Sequence, residues 1–346
     1  MAVELKERHR EVLKAVIHDF IMNAEPVGSR TVSKKYNFNL SPATIRNIMA
    51  DLEEAGYLNQ PHTSAGRVPT DLGYRYYVDA LMEPKRLTKF EEDRIERRVR
   101  ALKSEMEELM RETSRILSHL SHCLGVVLAP RVDKTIFKRI EFIHLSGTRI
   151  LVILVAESGF VQHKVVQIDE VIDQEELGKV SRYLNDLLQG LTLSQVRELI
   201  VAKMAEDRAL YDQLLRRALK LGQRSFEEEV EGDLYIGGTA NIVDQPEFAD
   251  LKKMRTLFTA FEEKSKLVKI LDECLSQGGL TIIIGSEHPF KEMRGFSLVT
   301  SPYKYGDYIL GALGVMGPTR MEYGKIVSLV DFTAKLVSRL LTEGDV

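Results

Sequence analysis

Ser41-Pro-Ala-Thr-Ile-Arg-Asn-Ile-Met-Ala-Asp-Leu-Glu-Glu-Ala-Gly56 carries the clearest helix signal in the chain. Ser41 stands where an N-cap hydroxyl accepts a backbone N–H, and Pro42 follows at the first helical position, where its missing N–H costs nothing. Ile45, Ile48, Met49, Leu52 and Ala55 recur at steps of three and four as a buried stripe, and Gly56 ends the helix. The opposite face presents Ala43, Thr44, Arg46, Asn47 and Ala50. Small residues let a backbone approach closely, and Arg and Asn are the side chains that contact guanine and adenine bidentately in the major groove. Polar and basic residues lead this helix and Glu53 and Glu54 trail it, which suits entry N-terminus first.

Upstream, residues 4–23 place Leu5, Val12, Leu13, Val16, Ile17, Phe20 and Ile21 on one helical stripe, ended by Pro26 and Gly28. Ser29 then caps a short second helix through about Tyr36, and residues 37–40 turn into the third. Downstream, Tyr57–Gln60, a polar loop over Pro61–Arg67 and the return Val68–Thr70 read as a two-stranded wing. Residues 1–83 are therefore expected to form a winged helix-turn-helix that binds DNA. Ser41, Ala43, Thr44, Arg46 and Asn47 are the expected contacts on the helix. On the wing they are His62, Thr63, Ser64 and Arg67, with Arg67 near the tip and able to reach a phosphate or the minor groove. On pattern alone, a trihelical bundle whose hairpin binds protein remains the other reading.

Charge does not help. The chain's formal net charge is −3, and residues 1–83 hold ten Lys and Arg against eleven Asp and Glu. Phosphate binding must then come from local placement rather than from a basic domain.

After Pro84-Lys85 the sequence predicts one long helix. Ile95, Val99, Leu102, Met106, Leu109, Ile116 and Leu120 follow a heptad seam, with Thr113 in the gap. Its partner is either a second chain or the C-terminal helix at about 321–342, and intrachain packing is the preferred reading. Strands are expected at 125–129, 139–145, 149–156 and 161–168, a helix at 173–189, and further strands near 280–285, 296–301 and 308–316. Between these groups, residues 191–276 read as mostly helical. The expected helices are 194–205, 208–224 and 250–276, with a strand-like piece at 234–236. So long a connection does not stay structureless. Its apolar residues Leu210, Leu214, Leu215, Leu219, Leu257, Phe261, Leu267 and Leu271 are candidates for core or interface.

The stretch Ser41–Leu58, followed by Pro61-His-Thr-Ser-Ala-Gly-Arg-Val-Pro-Thr70 and Gly73-Tyr-Arg-Tyr-Tyr-Val78, resembles the HrcA family of heat-inducible transcription repressors. The resemblance implies a repressor of chaperone operons that binds an inverted-repeat operator, the CIRCE element, as a homodimer. It also implies support of the active repressor by the GroEL-type chaperonin. The fold class expected is α+β and multidomain. It comprises the winged helix-turn-helix at 1–83, a GAF-like antiparallel α/β domain from 84–190 plus 277–346, and a mainly helical inserted dimerisation subdomain at 191–276. A two-fold dimer fits an inverted repeat, because one small domain reads too few base pairs to select a site in a genome. The alternative function is a small-molecule-responsive regulator that senses a ligand through the GAF-like domain.

Other chemistries find little support. No run of eighteen apolar residues suggests a membrane span, and the charged N-terminus does not read as a signal peptide. Cys123 and Cys274 lie far apart, as in a reduced cytoplasmic protein. His119, His122 and Cys123 lack a fourth nearby ligand, so no metal or other cofactor is expected. Gly311–Pro318 looks like a phosphate loop but lacks its Lys-Ser/Thr, and no nucleophile–base set points to an enzyme. The apolar, strand-prone runs 149–156 and 281–285, without internal charge, are aggregation hazards during folding, which gives chaperonin dependence a physical form.

Overall fold

A computed structural model describes residues 5–62, 65–101, 106–130, 135–157, 161–168, 171–206, 221, 234–243, 245–246 and 264–343. The protein is a mixed α/β chain with antiparallel sheets. At its N-terminal end α1 (Glu7–Asn23), α2 (Ser29–Lys35) and α3 (Pro42–Glu54) pack around Val12, Leu13, Val16, Ile17, Val32, Ile45 and Leu52, all fully buried. A hairpin of β1 (Leu58–Asn59) and β2 (Val68–Pro69) follows, with Leu58 opposite Pro69. Then comes α4 (Asp71–Tyr76), capped by Thr70, whose hydroxyl accepts from the Gly73 N–H at 3.1 Å.

The expected long helix is two helices, α5 (Lys89–Arg100) and α6 (Met106–Ser121). Arg94 meets His119 and Arg98 meets Glu112, so α6 runs back along α5 as a hairpin. The seam residues Ile95, Val99, Leu109, Ile116 and Thr113 are buried as their spacing requires. Spacing alone does not distinguish one straight helix from two that fold together, because both bury the same stripe. Leu102 lies outside the described residues. The C-terminal helix, α11 (Tyr323–Thr342), packs on both α5 and α6 within the chain.

The strands expected to form one sheet form two. The larger is assembled from β3 (Leu124–Leu128), β7 (Leu234–Gly237), β8 (Thr281–Ile284), β9 (Phe296–Tyr305) and β10 (Tyr308–Pro318), in the order β7-β3-β10-β9-β8. One face packs on α6 and α11 through Val127, Val299, Tyr303, Leu313 and Val315. The other packs on α10 (Lys264–Ser276) through Val126, Leu298, Ala312 and Met316. Between β7 and α10 lies the short α9 (Thr239–Val243). Gly311 and Gly314 sit in the central strand β10, where an added Cβ would stand 2.5 Å from the Leu128 carbonyl and 2.3 Å from that of Val299.

The smaller sheet holds β4 (Phe137–Ser146), β5 (Arg149–Ala156) and β6 (Val161–Gln167), with α7 (Gln174–Leu188) and α8 (Leu193–Glu206) over one face. This unit has its own apolar core around Phe137, Ile140, Phe142, Ile150, Val152, Leu177, Val180 and Leu184. The strands from 137 to 167 and the helix 174–188, expected with the larger sheet, share this separate core with α8, whereas 234–237 and 264–276, expected within the 191–276 segment, pack with the larger sheet. Leu267 and Leu271 are core residues of that sheet. Among the other apolar residues expected at 208–224 and 250–263, those named above lie outside the described residues. Local patterns identify strands, but partners here are far apart in sequence: Val127 pairs with Leu313 and with Tyr235.

A single apolar core runs from the N-terminal helices into α5, α6, β9, β10 and α11. Over it lies a polar clamp. Arg75 of α4 donates from Nε and Nη2 to the two Glu287 carboxylate oxygens at 2.7 and 2.6 Å, and from Nη2 to the Ile282 carbonyl at 2.6 Å. Asp71 accepts from the Ser286 N–H at 2.8 Å. Burial opposes the Glu287 charge, but Arg75 and the Ile284 N–H outweigh it and hold the carboxyl below its ordinary range. Glu287→Ala removes the fork's partner and is expected to speed amide exchange across residues 71–81 while leaving the β9–β10 ladder protected. Hydrogen–deuterium exchange checks this, and unchanged protection at 71–81 would show the clamp to be idle.

Candidate nucleic-acid interface

The exposed face of α3 is built from its cap upward. The Thr44 N–H donates to Ser41 Oγ at 3.1 Å and the two hydroxyls lie 2.9 Å apart, with Pro42 at the first helical position. That start fixes the helical phase. Ile45, Ile48, Met49 and Leu52 are then buried against α1 and α2, while Ser41, Ala43, Thr44, Arg46 and Asn47 are all exposed. The five helix residues expected to act together therefore share one accessible end of α3.

The hairpin is held beside them by backbone pairing. Val27 and Arg67 exchange both N–H···O bonds at 2.9 Å, which straps the hairpin's return to the start of α2. Gly66 makes this approach possible, since a Cβ there would stand 2.4 Å from the Val27 carbonyl. Glu53 accepts from the Gln60 N–H at 3.0 Å and pairs with the Arg67 guanidinium at 2.8 Å. Arg67 was expected near the tip, but it sits at the hairpin root with its side chain 17% exposed. Its place in the backbone strap and its ion pair with Glu53 keep it there. His62 is exposed in the loop, and Thr63 and Ser64 lie outside the described residues.

Between α2, α3 and the hairpin lies a groove of about 550 Å³, whose lining includes Arg30, Arg46, Gln60 and Arg67. Arg30, exposed on the first turn of α2, was missed by the sequence reading. Its position two residues after Gly28 at the start of that helix was the available signal. The groove explains how a nearly neutral segment presents a basic surface. Asp19 pairs with Lys35, Asp51 with His9, Glu83 with Lys14, and Asp79 with Arg75. Glu53 is engaged by Arg67, so Arg30 and Arg46 face the groove with no carboxylate beside them among the described residues.

Other sequence candidates do not gather. Among the described residues no three His, Cys, Asp or Glu side chains converge as a metal site. His119 faces Arg94, and Cys123 is buried. No helix among the described residues is long and apolar enough to cross a membrane.

Known proteins match this chain along its length. A relative from Geobacter sulfurreducens named heat-inducible transcription repressor HrcA is 52% identical over 342 residues, 99% of each chain. One of the same name from Syntrophobacter fumaroxidans is 48% identical over 98% of each. A crystal structure of a hypothetical protein shares the fold with a TM-score of 0.62 and 24% identity, covering 99% of this chain and 100% of that one. The two relatives from Geobacter sulfurreducens and Syntrophobacter fumaroxidans are named transcription repressors, and the chain is of that class. Residues 107–327 match the family model described as the HrcA protein C-terminal domain. The chain belongs to the HrcA family of heat-inducible transcription repressors.

Gly66→Val is expected to push the hairpin off Val27 and to expose Gln60 and Arg67, with a stability loss of about 1–3 kcal/mol. Urea unfolding measures it, and a loss under 0.5 kcal/mol, the usual scale of a neutral surface change, would contradict the strap.

Proposed function

We propose that this repressor acts as a cytoplasmic homodimer on the inverted-repeat operator of chaperone operons, the CIRCE-type element. The N-terminal segment acts as a winged helix-turn-helix. The observation that carries this reading is the accessible α3 face of Ala43, Thr44, Arg46 and Asn47 beside a groove lined by Arg30 and Arg67. Arg46 and Asn47 read base edges; Arg30, Ser41 and the hairpin residues His62, Thr63 and Ser64 address the backbone, while Arg67, paired with Glu53, positions the hairpin. Division of labour follows from placement: α3 leads into the groove, while α2 and the hairpin flank it.

Dimerisation through the inserted unit is supported by its uncovered sheet face. Ile143, Val161 and Val165 are 38%, 55% and 47% exposed, and the partly exposed Leu151, Ile153 and Val155 continue the same face across β5. Arg139, Glu141 and His163 share this face, so it is a mixed surface of exposed aliphatic and charged side chains with the helices on the opposite side, and it suits a second copy of itself. The aliphatic run Ile150–Ala156 of β5 favours chaperonin engagement during folding, so that occupancy of the GroEL-type chaperonin by heat-damaged proteins lowers the supply of active repressor. The larger sheet takes the GAF-like role. Helices cover both its faces, and no observation favours a ligand between its layers.

In fluorescence anisotropy with operator and scrambled duplexes, Arg46→Ala is expected to weaken operator binding about 10- to 100-fold, and scrambled binding far less. Arg30→Ala is expected to weaken both alike and to flatten the salt dependence. Equal losses on both duplexes for Arg46→Ala would contradict base reading. Ile153→Glu is expected to convert the dimer to a monomer in sedimentation velocity while retaining helical circular dichroism. A dimer that persists would place the interface elsewhere.

A further inference from the structure

Away from the α3 face, a cavity of about 400 Å³ opens between the α5–α6 hairpin and the turn after β7. Arg94 and Arg98 from α5 and Arg115 and His119 from α6 line it, with Glu112 the carboxylate among them. Two other arginines on these helices have an acid of their own one turn away: Arg100 with Glu96 at 2.7 Å, and Arg111 with Glu107. In the cavity, Arg98 and Arg115 share Glu112 at 3.4 and 3.6 Å, longer than the 2.7–2.9 Å of a charge-assisted hydrogen bond. Arg94 donates to His119 Nε2 at 2.8 Å, and because a guanidinium only donates, that imidazole nitrogen accepts. Three cations thus converge on one anion, with most of their donors unsaturated by protein among the described residues.

The floor is fixed rather than soft. Gly238 adopts φ +78°, and a Cβ there would fall 1.6 Å from Ser118 Oγ. Asn241 holds the same hydroxyl, donating to it at 2.8 Å. The volume is within the range of small-ligand sites, yet among the described residues no aromatic or aliphatic side chain lines the cavity to stack on a ring. Charge and N–H donors are what it offers.

We propose that this cavity binds a small phosphate-type polyanion, either free pyrophosphate or the polyphosphate end of a nucleotide. Guanidinium forks match phosphate oxygens bidentately, and two net positive charges within one cavity suit a ligand with several negative ones. The site is separate from the proposed operator-reading face and does not depend on it.

Isothermal titration calorimetry on the full chain at low salt tests the site with pyrophosphate, ATP and adenosine. Pyrophosphate is expected to bind saturably, one per chain, and Arg98→Ala with Arg115→Ala is expected to weaken it at least tenfold. Arg115→Ala alone, whose side chain is 63% exposed and outside the core, is expected to weaken it several-fold. Replacement of both by Lys is expected to recover part of the loss. Arg97→Ala removes the same charge from an exposed part of α5, and Arg46→Ala removes it from the α3 face. Neither is expected to change binding. ATP binding as tight as pyrophosphate would name the nucleotide as the source, and pyrophosphate alone would name the free anion. No saturable binding by the unaltered protein at millimolar pyrophosphate would overturn the proposal. So would an equal loss in Arg97→Ala, or adenosine binding as well as ATP.

Discussion

Arg75 joins the two functional halves of the molecule. Its planar fork meets both oxygens of Glu287 and the carbonyl of Ile282, while Asp71 one turn earlier receives the Ser286 N–H. Beneath this clamp the apolar core continues without a break from α1 to α11, with Tyr74 lying 6.0 Å from Tyr323 across the junction. A bidentate guanidinium pair fixes orientation as well as distance. The N-terminal helices are therefore not a bead on a linker: the position of α3 follows from the position of the larger sheet.

The charge arrangement follows the same logic. A net charge of −3 conceals a division of labour among the carboxylates. In the N-terminal segment they serve as structural partners, Asp19 to Lys35, Asp51 to His9, Glu53 to Arg67 and Asp71 to the Ser286 amide. The cations left near the groove are Arg30 and Arg46. Local potential depends on which charges are neutralised at short range, and surface charges further apart than about 8–10 Å are largely screened at physiological salt.

The two sheets are covered differently. Helices lie on both faces of the larger one, so its strands are buried almost throughout, as β10 is from Leu310 to Met316. The smaller one is covered on a single face. Its edge strand β4 is closed by side chains of α7: Asn185 bonds both backbone groups of Ile140, and Gln174 bonds the Phe142 carbonyl and the His144 N–H. These bonds satisfy backbone groups along the β4 edge and blunt strand addition there.

Much of this was legible in residue order. The cap Ser41-Pro42, the buried stripe of α3 and its opposite face follow from local geometry, because a helix of known phase assigns every side chain a direction. Strand positions were legible for the same reason. What stayed hidden depends on contacts between residues remote in sequence. The seam from Ile95 to Leu120 indicated burial but not the fold-back that brings Arg98 to Glu112. The strand at 234–237 could be recognised, yet its place beside β3 rests on pairing across more than a hundred residues. Arg67 was read as a free arginine because nothing nearby in sequence announces Glu53 as its partner. Periodicity thus determined which side chains are buried and which face of α3 is presented. Tertiary structure decided what they are buried against, which strands share a sheet and which arginines keep an open charge, since burial sets a direction while pairing needs a partner in space.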